Sequence, residues 1–144
     1  MPQGRVFPSD HWTGPVIGGS ISTRMNTRDE GAQMALQHAQ SGQIVNVRPL
    51  NGQLSDARTT AVLKAGQLEV IRLVLLSGKT MREHKAPGEV TVLCIEGQLE
   101  LRSPELRHVL GPGDLIHLLP EVPHSLLALS DTSALVTMVI KSPV

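Results

Sequence analysis

Six histidines and one cysteine carry most of the ligand chemistry in this chain of 144 residues. Two of the histidines sit in stretches punctuated by Gly and Pro. His84 lies in Gly78-Lys79-Thr80-Met81-Arg82-Glu83-His84-Lys85-Ala86-Pro87-Gly88-Glu89-Val90, which runs on to Glu96-Gly97. His124 closes a second stretch: Gly111-Pro112-Gly113-Asp114, a short apolar run, then Pro120-Glu121-Val122-Pro123-His124. Imidazole near neutral pH can bind a metal, exchange a proton or accept a hydrogen bond. His11 and His38 have no partner spacing, and His108, between Arg107 and Val109, reads as an exposed strand position. Other chemistries are absent. The chain has no Gly-x-Ser-x-Gly elbow, no Gly-rich phosphate loop before a helix and no paired carboxylates on one strand.

The composition narrows the partners. Thirteen basic and thirteen acidic residues balance without a run of either sign, so nothing favours nucleic acid or an acidic membrane surface. Aromatic rings are limited to Phe7 and Trp12, with no Tyr, which removes the stacking platform that single-stranded nucleic acid needs. The lone Cys94 excludes an internal disulfide and a zinc ribbon. No apolar run reaches the roughly 18 residues of a membrane span, and no signal-peptide core is visible. The expected location is the cytoplasm.

The elements that must position the histidines begin after residue 42. Residues 1–26 are rich in Pro, Gly, Ser and Thr without an apolar period, and are expected to form a loose arm, or a leader ahead of a start at Met25. Thr27-Arg28-Asp29-Glu30 is a capping box, and a helix is expected over 27–42 with Gly42 as its stop. From Gln43 the texture is that of strands: Ile44 to Val47, Thr59 to Leu63, Leu68 to Leu76, Val90 to Ile95, Gln98 to Leu101, Leu106 to Leu110, Leu115 to Leu118, His124 to Leu129 and Ala134 to Ile140. Ala65-Gly66-Gln67, Glu96-Gly97-Gln98 and Ser103-Pro104 are expected hairpin turns. Short strands at regular spacing make residues 43–144 an all-β sandwich or barrel.

The two histidine stretches resemble the paired motifs of the cupin superfamily, and more narrowly a bacterial subgroup of small single-domain cupins of uncharacterised function. The family's first motif is a glycine, five residues, a histidine, one residue, a second histidine, three or four residues, a glutamate, six residues and a glycine. Gly78, His84 and Gly97 fall on it, with Ala86 at the second histidine's place and Val90 at the glutamate's. The second motif's turn and histidine fall on Gly113-Asp114 and His124. Leu119 stands at a usual proline position and Glu121 at a usual glycine. The resemblance spans Gly78 to His124, about a third of the chain, and implies a jelly-roll-like antiparallel barrel with His84 and His124 in one pocket. It also implies a homodimer.

Most cupins hold a metal with three histidines and a glutamate, and here two of the four places are apolar. Two imidazoles give two nitrogens and no charge, where a catalytic Fe, Mn, Ni or Zn usually has three or more protein ligands. Glu89 is the first candidate for a third donor. It is one position from Val90 and turns to the other face unless Pro87-Gly88 makes a bulge. His117 could line the pocket from another wall. Cys94 shares the parity of Val90 but lies four residues on, roughly 13 Å at ~3.3 Å per residue, and is expected in the core.

The expected pocket is lined by His84, Val90, Val92, His117, His124 and Leu126. The first expectation for function is a cupin binding a small organic ligand, with a degenerate site that holds no metal or a weakly bound divalent ion (Zn, Mn, Fe or Ni) through His84, His124 and Glu89. The alternatives are a metal-dependent oxygenase or isomerase, and a structural or regulatory dimer.

Overall fold

Val, Ile, Leu and Thr recur in most of nine segments, and the structure, a computed structural model describing residues 38–140, pairs these segments into two antiparallel sheets. In chain order the strands are β1 (Thr60–Lys64), β2 (Leu68–Leu75), β3 (Thr80–His84), β4 (Val90–Glu96), β5 (Leu99–Ser103), β6 (Leu106–Leu110), β7 (Leu115–Leu118), β8 (His124–Ala128) and β9 (Thr132–Val139). The first sheet has the order β1-β2-β9-β4-β7 and the second β3-β8-β5-β6. All fall within one compact unit, Asn46–Val144. Alternation sends Val90, Val92 and Cys94 of β4 inward to meet Leu99 and Leu101 of β5 and Leu126 of β8, so both sheets share one core.

Several expectations change. Ile44 to Val47 forms no strand. Thr80–His84 does, although its sequence is almost wholly polar. It is an edge strand paired only with β8, so little of it is buried and no apolar alternation marks it. Glu96-Gly97-Gln98 is not a hairpin: β4 and β5 belong to different sheets, and the turn carries the chain across. Gly97 is required there, with φ +84 and a Cβ position filled by the Asp131 carbonyl and Thr132. Residues 38–42 end in a turn about Gln40 and Gly42 rather than a helix. The rest of the expected helix and the arm before it lie outside the described residues.

A segment ahead of β1 is clamped to the outer face of the first sheet. Leu73 faces the core, so its neighbour Arg72 faces out, yet Arg72 is buried. Its guanidinium donates to the Arg48 carbonyl (2.9 Å) and to Ser133 Oγ (3.4 Å). A bulge between Cys94 and Glu96 turns Glu96 to the same face as Ser133. The Glu96 carboxylate accepts from the Leu50 and Asn51 backbone N–H groups, each at 2.9 Å, and from Ser133 Oγ. A 3-10 helix, Asn51–Asp56, follows and buries Leu54. No helix among the described residues is long and apolar enough to cross a membrane.

Candidate functional site

His124 opens β8 and His84 closes β3, and the register sets them directly opposite each other. On β8 the buried residues are His124, Leu126 and Ala128, so His124 points the way of core residue Leu126. Cross-strand partners share a face, which brings His84 to the same side. Between the pairs Met81–Leu126 and His84–His124, β3 takes three steps and β8 two. This bulge lets both Met81 and His84 face inward despite their odd separation. The imidazole centroids stand 4.3 Å apart with planes tilted by 59°. His124 is 4% exposed, whereas His84 is open to solvent.

Hydrogen bonding fixes both rings alike. His84 Nδ1 lies 3.0 Å from the Arg82 carbonyl oxygen and His124 Nδ1 2.9 Å from the Val122 carbonyl oxygen. A carbonyl only accepts, so each Nδ1 carries the hydrogen and each neutral ring presents an Nε2 lone pair. Among the described residues no protein group bonds either Nε2. Burial pushes the His124 pKa below the ordinary imidazole range. The bond to the Val122 carbonyl opposes that shift, and the facing His84 adds to it.

The remaining expected site residues divide. Val90, Val92 and Leu126 are buried in the core cluster that also receives Met81, Ala86 and Val122. Glu89 and His117 are elsewhere. Val90 faces in, so Glu89 faces out, and on the outer surface His117 Nε2 meets Glu89 Oε1 at 2.6 Å. His117 is thus an exposed partner of Glu89, not a pocket wall, and neither residue joins the histidine pair. Cys94 is fully buried, and burial pushes its thiol pKa up, with Asp114 adding to the shift.

Among the described residues, no group of three or more His, Cys, Asp or Glu is placed to hold a metal ion. With Ala86 and Val90 unable to donate, the residues present do not fit a metal held by four protein ligands.

Sequence reasoning missed the rim. The loops next to the two histidines are tied where the Glu121 N–H donates to the Ala86 carbonyl (2.8 Å), with an exposed Lys85–Glu121 pair at 3.8 Å beside it. Glu121 has φ +65, a region that costs a side-chain-bearing residue about 1–2 kcal/mol. The signal was available, since Glu121 stands where the resembled motif has glycine.

No protein-family model and no curated protein matches the sequence. Solved structures do match. A cupin superfamily protein from Desulfitobacterium hafniense aligns with a TM-score of 0.58 at 17% identity, over 68% of this chain and 95% of that one. A conserved protein of unknown function from Streptococcus pyogenes gives 0.58 at 18%, over 76% and 99%. The DMSP lyase DddQ from Ruegeria pomeroyi gives 0.54 at 19%, over 67% and 54%. Identities this low carry fold and not activity. Two antiparallel sheets around one core, with a histidine from each of two neighbouring strands at one end, make this chain a cupin in fold.

Proposed function

We propose that this protein is a small-molecule-binding cupin in which the His84–His124 pair recognises the ligand directly, with no tightly held metal. The observation that carries the reading is the donor set. Two imidazoles stand with centroids 4.3 Å apart, on the face of β8 that carries core residue Leu126, and among the described residues no acid joins them in a group of three. A few polar groups set in an apolar lining are the usual design of a small-ligand site. Two-donor coordination would leave a divalent ion labile.

The test is elemental analysis of protein purified without an affinity tag or chelator, followed by a ligand screen on the same sample. The expected result is metal well below one equivalent, with thermal-shift hits that are lost in His84→Ala. One tightly held transition-metal ion per chain would overturn the reading in favour of a metal-dependent enzyme. That second reading draws support from the carbonyl bonds at both Nδ1 atoms, which orient Nε2 as metal-binding histidines are commonly oriented. One of the structures similar in fold is also named as a lyase. We also propose a homodimer, because β1, β7, β3 and β6 are sheet edges among the described residues and pairing between copies would cover exposed edge backbone. Light scattering at micromolar concentration checks it, and a monomer mass refutes it.

A further inference from the structure

We infer that the ligand of the histidine pair is a neutral aliphatic molecule carrying two adjacent hydroxyl groups, each donating to one Nε2. This rests on the small-molecule reading above and goes on to the ligand's class. The selectivity follows from which atoms are already committed. Both Nδ1 hydrogens are used on the Arg82 and Val122 carbonyls, so each neutral ring offers the ligand an acceptor and no donor. The rings belong to directly opposed residues with centroids 4.3 Å apart, close enough for one small molecule to reach both.

A carboxylate brings only acceptors and would set its lone pairs against theirs. An ammonium could donate, but among the described residues no aspartate or glutamate converges on the pair to balance its charge. At the rim, Lys85 and Glu121 are paired with each other. Hydroxyl groups donate without charge, and a vicinal pair supplies two donors for two acceptors. The core beneath this face is aliphatic: Leu126 and Val90 lie in it, Met81, Ala86 and Val122 pack against it, and no Phe, Trp or Tyr is among the described residues.

The experiment is isothermal titration at about pH 8, above the ordinary imidazole range, in the presence of a chelator. The probes share one frame: vicinal cis-cyclohexanediol, cyclohexanol, cyclohexanecarboxylate and cyclohexylamine. The diol is expected to bind tightest, and His84→Phe, which keeps an exposed ring and removes the acceptor, to weaken it roughly three- to tenfold. In 15N spectra of labelled protein, the diol is expected to shift the Nε2 resonances of both histidines, a response that loss of packing would not produce. Carboxylate or amine binding as tightly as the diol would overturn this inference and leave the small-molecule reading standing. Failure of the diol to bind at millimolar concentration overturns it too. If a broad neutral, acidic and basic library also fails, the small-molecule reading falls with it.

Discussion

Replacing Glu96 with alanine removes the centre of the clamp that holds residues 48–51 on the first sheet. Its carboxylate accepts from Leu50 N–H, Asn51 N–H and Ser133 Oγ, while Arg72 reaches the Arg48 carbonyl beside it. Hydrogen bonds to a charged acceptor contribute ~1.5–3 kcal/mol each. Three would total about 5–9 kcal/mol if independent, but they share one group, and the Asn51 N–H is exposed and can turn to water. A second limit is local: once the segment lets go, only its own docking is lost, dominated by Leu54 at ~1.5–3 kcal/mol. The expected cost of Glu96→Ala is therefore about 3 kcal/mol. Urea unfolding measures it, with hydrogen exchange at Leu50 and Asn51 as the local readout. The carboxyl is pushed up by burial, but the bonds from Leu50, Ser133 and Asn51 and the Arg72 charge together hold its pKa below the usual value. A depressed folded pKa means the contribution is present above the unfolded value of about 4.3 and is lost as pH falls through the folded one. The gap between wild type and Glu96→Gln should therefore close on acidification. A loss below about 1 kcal/mol for Glu96→Ala, with exchange at Leu50 unchanged, would refute the clamp.

The other expectations are more local. Glu121→Gly should stabilise by up to ~1 kcal/mol, as relief of positive φ outweighs the freedom glycine gains when unfolded, and a thermal melt reads it. Because His124 is held below its ordinary pKa, stability should fall as pH drops below about 6.5, where the unfolded chain takes up the proton first, and His124→Gln should remove that slope in urea titrations. Glu89→Ala and His117→Ala should shift stability by less than ~1 kcal/mol and leave ligand binding intact, because their contact is exposed. Ala86→His with Val90→Glu should raise affinity for Zn or Mn by orders of magnitude in metal titrations, while the apo form melts lower from an unpaired buried acid.

Most strands were legible because short runs rich in Val, Ile and Leu are set off by clear turns, as Leu68–Leu75 and Leu106–Leu110 are. Thr80–His84 was not, since an edge strand with one exposed flank needs no apolar period. The Glu96-Gly97 turn looked like a hairpin because a glycine at positive φ has the same local signature whether the next strand returns to its own sheet or crosses to the other. At the candidate site, residue types alone gave no account of the bulge at Met81–His84, which depends on pairing with β8. Glu89 shows the converse: simple alternation at Val90 was enough to send it outward to His117.

The hydrogen bond from Glu121 to the Ala86 carbonyl has a kinetic consequence. His84 is two residues from Ala86, Glu121 is three from His124, and the histidines face each other across the ladder, so these four positions form a closed loop of chain and contacts. The loop holds the two backbones, and the bond from each Nδ1 to its carbonyl holds the ring. A guest therefore meets rings already ordered and loses little further entropy in fixing them. A loosened knot between Glu121 and Ala86 would then be felt first as faster exchange of the guest, with residence time more sensitive than occupancy.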